Sequence, residues 1–199
     1  MSRSNATHGV QHAPPAGRAL AVVEAMTNKI EVQNVVKIFG SDPETALEML
    51  RSGSSKAEIL QETGQTVGVD DVSFEVREGE IFVVMGLSGS GKSTLVRVLN
   101  RLIPATSGSV WIDDDDVLGV SEEELREIRL RKIAMVFQHF ALFPHMTVRE
   151  NVEYGLKIQG VGSSERRERA MAALEQVGLA EWSERRPQAL SGGMQQRVG

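Results

Sequence analysis

Eight consecutive residues, Gly86-Leu87-Ser88-Gly89-Ser90-Gly91-Lys92-Ser93, limit the folds open to this chain more than any other feature. They match GxxxxGK[ST]. The stretch before them, Ile81-Phe82-Val83-Val84-Met85, is continuously apolar, as expected of a strand covered on both faces. A helix is expected from Lys92 to about Leu102, ended by Pro104. Strand, glycine loop and helix form the setting in which this pattern cradles phosphate. Glycines let the main chain wrap closely without a Cβ clash. Successive N–H groups then point inward as an anion nest, and the helix adds its positive end. Lys92 brings an ammonium to the β- and γ-phosphates, and Ser93 offers a hydroxyl to Mg²⁺, which keeps much of its shell as water and phosphate oxygen. Thr94 is placed for a further phosphate contact. A glycine-rich turn with an incidental lysine would need neither flanking element. The loop says nucleotide; kinases, GTPases and transport ATPases all share it.

Other segments alternate between strand and helix signals. Ile30, Val32, Val35, Val36 and Ile38 read as a strand ending at Phe39-Gly40. Residues 41–66 read as an insertion, with a cap at Ser41-Asp42-Pro43-Glu44 and two short helices, Pro43 to Arg51 and Ser55 to Thr63. Val69 to Val76 alternates as a second strand, Ser109 to Ile112 reads as another, and Ile133 to Phe137 as a short buried one. Capping boxes at Ser121/Glu124 and Thr147/Glu150 open two more helices, and Ser163 to Val177 is amphipathic, with Ala170, Ala173, Leu174 and Val177 on one face. This alternation predicts an α/β domain with a mostly parallel sheet.

The formal charge of −5 argues against a protein that holds nucleic acid on a basic surface. With no cysteine, disulfide scaffolds, thiolate zinc sites and cysteine nucleophiles are excluded. No apolar run approaches the ~18 residues of a spanning helix. Residues 1–28 read as a disordered tail without a signal peptide, with Met26 an alternative start and His8 and His12 solvated. The acid run Asp113 to Asp116 reads as a solvated turn rather than a metal site.

Leu190-Ser191-Gly192-Gly193-Met194-Gln195-Gln196-Arg197 resembles the LSGGQ signature of ABC ATPases, with a methionine inserted. Gln138, after Ile133-Ala134-Met135-Val136-Phe137, is similar to that family's Q-loop glutamine, and Phe39 matches its adenine-stacking aromatic. The resemblance implies a P-loop NTPase, the ABC ATPase nucleotide-binding domain. That fold has three layers, with a mostly parallel core sheet, antiparallel strands and a helical subdomain. It covers residues 29–199, and the family's later elements, the Walker B strand with its Asp and the catalytic Glu among them, would lie beyond the signature helix. The C-terminal part of the core is therefore expected to be missing, and the 199 residues alone are expected to fold poorly and to hydrolyse ATP doubtfully.

By the same resemblance, Phe39 would stack on adenine, and Gly86, Leu87, Ser88, Gly89, Ser90, Gly91, Lys92, Ser93 and Thr94 would hold the phosphates. Ser93 and Gln138 would ligate Mg²⁺. Ser191, Gly192 and Gly193 would contact the γ-phosphate of ATP bound by a second copy, in a head-to-tail dimer. The segment His139 to Asn151 would meet an integral membrane permease, with His139 and His145 having no role as catalytic bases. The insert and the runs Glu80 to Leu87, Val136 to Val148 and Leu190 to Gly199 look like the ATP-binding subunit of glycine betaine/L-proline uptake systems. That implies a peripheral subunit on the cytoplasmic face of the inner membrane, served indirectly by an extracytoplasmic binding protein and without nucleic acid. The substrate is implied by likeness alone, so choline, carnitine or an amino acid stay open. Two other classes also stay open. One is a non-hydrolytic nucleotide-binding remnant. The other is a soluble ABC protein of DNA repair or translation, disfavoured by the acidic balance and by the short span between Gln138 and Ser191.

Overall fold

The structure, a computed structural model, describes residues 28–137 and 141–199. The expectations for the tail before Asn28, and for Gln138 and His139, lie outside the described residues. The strands are β1 (Asn28–Phe39), β2 (Thr66–Arg77), β3 (Ser107–Ile112) and β4 (Asp115–Asp116). The helices are α1 (Pro43–Arg51), α2 (Lys56–Thr63), α3 (Lys92–Leu99), α4 (Glu122–Arg131), α5 (Val148–Ile158), α6 (Ser163–Gln176) and α7 (Gly192–Val198).

The four strands form one sheet in the order β2-β1-β3-β4, and every pairing in it is antiparallel. Val32, Val35, Val69, Val110 and Ile112 turn one face of it to Leu95 and Val98 of α3 and Leu125 of α4. This face carries the phosphate loop, because α3 is the helix that the loop opens. The α3 axis is fixed at its far end by Arg129, whose Nε and Nη2 donate to the carbonyls of Asn100 and Arg101 at 3.1 and 2.9 Å. The helix stops at Leu99 rather than Leu102. Arg101 takes a positive φ of 53°, and the Asn100 carboxamide oxygen accepts from the Leu102 N–H at 3.2 Å.

The parallel part of the expected sheet is not formed among the described residues. Residues 81–85 and 133–137 carry no strand pairing. Ile81 is 89% exposed and Met85 84%, where a doubly covered strand was expected. Apolar character favours burial, but a strand exists only as a member of a ladder, and among the described residues neither segment is paired with another strand. Side-chain contacts remain: Phe82 stacks on Phe74 of β2 with ring centroids 4.6 Å apart, and Val84 and Ile133 pack against the edge of the main core.

The insert folds as the two predicted helices. Asp42, not Ser41, caps α1, accepting from Thr45 N–H at 3.3 Å, and Ser55 with Glu58 closes a capping box on α2. Ala46, Leu47 and Ile59 bury against Val36, Ile38 and Val67, so the insert has its own small core at the open end of the β1–β2 pair. Residues 148–198 form a separate helical layer around Val148, Leu174, Leu179 and Leu190. Ala170 and Leu174 of the expected α6 face are buried there, but Ala173 is exposed.

In the acid run, Asp113 pairs with Lys29 at 2.6 Å and Lys132 at 2.9 Å, and Asp115 pairs with Lys132 at 2.8 Å. Hydrogen bonds from Lys29 and then Lys132 hold the Asp113 carboxyl below its ordinary range. Asp115 and Asp116 add a short strand, β4, that sequence reading misses.

Candidate nucleotide site

The loop between 85 and 92 turns on a bond from Ser90 N–H to the Leu87 carbonyl, and α3 starts with Leu95 N–H donating to Gly91 at 2.8 Å. No side chain caps this helix. Its first N–H groups, on Lys92, Ser93 and Thr94, are therefore free for an anion. Gly91 can only be glycine. Its φ is +91°, and an added Cβ would stand 2.2 Å from the Gly68 carbonyl oxygen of β2. The loop is thereby pressed against β2.

The Lys92 ammonium folds over the loop, donating to the carbonyls of Gly86 and Leu87 at 2.8 and 2.6 Å. Both acceptors are neutral. A phosphate oxygen is a stronger acceptor, since charge-assisted bonds are about twice as strong as neutral ones. The lysine is thus within a side-chain rotation of a better partner.

Phe39 ends β1, opposite Thr66. Its ring lies over Gly68, where a Cβ would meet the ring at 2.7 Å. The Lys37 ammonium sits 5.0 Å from the ring centroid, and burial draws the lysine pKa down. Phe39 is 39% exposed, too open for a core residue. One cleft of about 290 Å³ runs from Phe39 and Gly68 to Gly89, Ser90, Lys92, Ser93 and Thr94. The fold therefore brings the aromatic and the phosphate loop together from separate elements. It also adds Thr66 and Gly68, which sequence reading misses. The hairpin register of Phe39 opposite Thr66 is the signal that could have found them. The glycine cradle, the uncapped helix end and the exposed Ser93 hydroxyl form a donor set that fits a nucleotide phosphate with its magnesium ion.

Ser191, Gly192 and Gly193 are exposed at the start of α7, where the Ser191 hydroxyl accepts from Met194 N–H at 3.4 Å. They line no part of the Phe39 cleft. Gln195, one turn later, donates to the carbonyls of Pro187 and Leu190 at 2.9 and 3.2 Å and anchors the turn. His145 packs edge-on against Phe143, away from the cleft. No helix among the described residues is long and apolar enough to cross a membrane.

The family model described as ABC transporter matches residues 69–199. The glycine betaine transport ATP-binding protein OpuAA of Bacillus subtilis (strain 168) is 57% identical over 171 residues, 86% of this chain and 41% of that protein. The glycine betaine/proline betaine transport system ATP-binding protein ProV of Escherichia coli (strain K12) is 55% identical over 174 residues, 87% of this chain and 44% of that protein. The chain thus spans less than half the length of these relatives. Among solved structures, the dimeric ATP-binding cassette MJ0796 in a post-hydrolysis state with ADP and Pi superposes with a TM-score of 0.69 at 33% identity. That match covers 85% of this chain and 66% of the cassette.

Proposed function

Because this chain belongs to the ABC transporter family and has the P-loop NTPase fold of its cassettes, we propose that it is the ATP-binding part of an importer for glycine betaine or proline-type osmoprotectants. The observation that carries the reading is the single cleft joining Phe39 to the phosphate loop. An adenine stacked on Phe39 directs its phosphates along the cleft toward Lys92 and the uncapped end of α3. The loop glycines and first-turn N–H groups hold the phosphate oxygens, Lys92 turns from two carbonyls to them, and Thr94 adds a hydroxyl. Ser93, together with Gln138, would hold Mg²⁺, whose positive charge would offset the charge that develops on phosphoryl transfer.

Ser191, Gly192 and Gly193 lie outside the cleft of their own chain, which supports their use on ATP bound by a second copy. Two copies closing head to tail would then drive an integral membrane permease through the segment 139–151. The protein would work as a peripheral subunit on the cytoplasmic face of the membrane, with an extracytoplasmic binding protein delivering the substrate. The osmoprotectant assignment rests on the two betaine-transport relatives at 57% and 55% identity.

A mixing experiment tests the shared site. Full-length Lys92→Ala and Ser191→Ala subunits are each expected to lose ATP turnover. A mixed pair keeps one site with both residues intact, so part of the turnover should return. No recovery in verified mixed dimers would contradict the head-to-tail reading.

A further inference from the structure

The β1–β2 ladder slips by one residue beside the nucleotide cleft. Lys37 pairs with Val69 and Ile38 with Val67, which leaves Gly68 between them as an extra residue on β2. The slip shows in the packing. Val67 and Val69 are two residues apart and would share a face of a regular strand. Val67 is instead buried in the core of the insert and Val69 in the core under α3, so β2 changes face at Gly68. This residue touches both ends of the cleft. Its carbonyl oxygen fills the place of a side chain on Gly91 of the phosphate loop, and the Phe39 ring fills the place of its own.

The backbone does not require this glycine. Its φ lies outside the left-handed region, unlike that of Gly91. What a larger residue would meet is the ring. A Cβ at position 68 would stand 2.7 Å from Cε2 and 3.2 Å from Cδ2 of Phe39, while the Lys37 carbonyl oxygen lies at an ordinary 3.5 Å. The ring has a second neighbour in the Lys37 ammonium, 5.0 Å from its centroid. Among the described residues Lys37 forms no ion pair, and it lines no part of the cleft. An ammonium over an aromatic face is held by the ring quadrupole. We propose that Gly68 and Lys37 are positioning residues for the base end of the cleft: Gly68 seats the Phe39 ring, Lys37 holds it on that seat, and the pair sets how tightly the chain takes an adenine nucleotide. The inference rests on the reading that Phe39 stacks on adenine. It adds the residues that decide where the stacking surface stands.

The test is ATP binding and turnover by the full-length subunit, in a double-mutant cycle with Phe39→Ala. Gly68→Ala moves the ring off its seat. It is expected to weaken ATP binding at least about threefold, and by no more than Phe39→Ala does, because base stacking is the interaction at stake. Its kcat at saturating ATP should stay within about twofold, since the added methyl meets the ring and Lys37 first, not the loop. In the Phe39→Ala background there is no ring to displace, and Gly68→Ala should change affinity less than about 1.5-fold. Lys37→Met keeps the stem and removes the charge. It should weaken ATP binding about two- to fivefold, and Lys37→Arg should restore most of that by keeping a cation over the ring. The Lys37→Met loss should also vanish without the ring, which a charge acting directly on the phosphates would not allow. Wild-type affinity in Gly68→Ala would overturn the inference, and so would a loss of equal size with and without the ring for either residue. Phe39→Ala alone separates the two failures. If it binds ATP weakly while Gly68→Ala and Lys37→Met bind normally, only this inference falls. If Phe39→Ala binds as wild type does, the stacking reading falls and the inference with it.

Discussion

Phe39 and Lys92 stand at the two ends of one cleft, and in the proposed reading each would carry a different part of a nucleotide. The phosphate end is readable from sequence because its residues are contiguous and their spacing encodes the turn. The aromatic end is not, since a phenylalanine at a strand end looks the same whether it is buried or presented. Resemblance alone picks out Phe39. The structure then shows what the ring rests on, since it lies over Gly68, where any Cβ would collide with it. Stacking a base on an aromatic side chain contributes about 1–3 kcal/mol. Phe39→Ala is therefore expected to weaken ATP binding roughly five- to hundredfold in the full-length protein, while Phe39→Trp retains affinity. Equal affinity for all three, by nucleotide titration, would remove Phe39 from the site.

At the scale of elements, the local signals are the reliable ones. Pro43 and the capping boxes place helix starts, and α1, α2, α4, α5 and α6 begin within a residue or so of where the sequence puts them. Pairing is a different matter. The apolar runs at 81–85 and 133–137 announce burial, but nothing local says which strand lies beside them, and among the described residues none does. The two-residue β4 escapes for the opposite reason, because two aspartates carry no strand propensity and pair through a turn that Lys132 holds.

The caps also give the helices a pH dependence. Glu58, Glu124 and Glu150 each accept from the backbone of their cap residue, which is the leading cause that lowers their pKa from 4.5. A carboxyl with a lowered folded pKa stabilises fully above its unfolded value and loses that contribution as pH falls through the lowered one. Helix content is thus expected to be flat above about pH 5 and to decline below the ordinary carboxylate range. The triple variant Glu58→Gln, Glu124→Gln, Glu150→Gln should show a shallower decline by circular dichroism. An unchanged acid profile would mean that the caps do not set it.

For the whole molecule, the sheet, the insert and the helical layer each have a core, yet in the segment leading into the phosphate loop only Phe82 and Val84 pack against it. Ile81, Val83, Met85, Leu87 and Val136 are all largely exposed, a run of apolar surface at the phosphate loop. The 199 residues expressed by themselves are expected to bind a hydrophobic dye and to self-associate. A monodisperse, dye-silent monomer would contradict this. The same bare run places the phosphate loop on a support that is only half built among the described residues, which is why the central claim must be tested in the natural full-length protein. The most direct measurement is uptake of labelled glycine betaine by cells in which Lys92→Ala replaces the wild-type subunit at equal abundance. Loss of uptake to background, with the membrane subunit still present, is the predicted result. Uptake at the wild-type rate would contradict the account, because transport would then proceed without the residue proposed to bring the phosphates into the cleft.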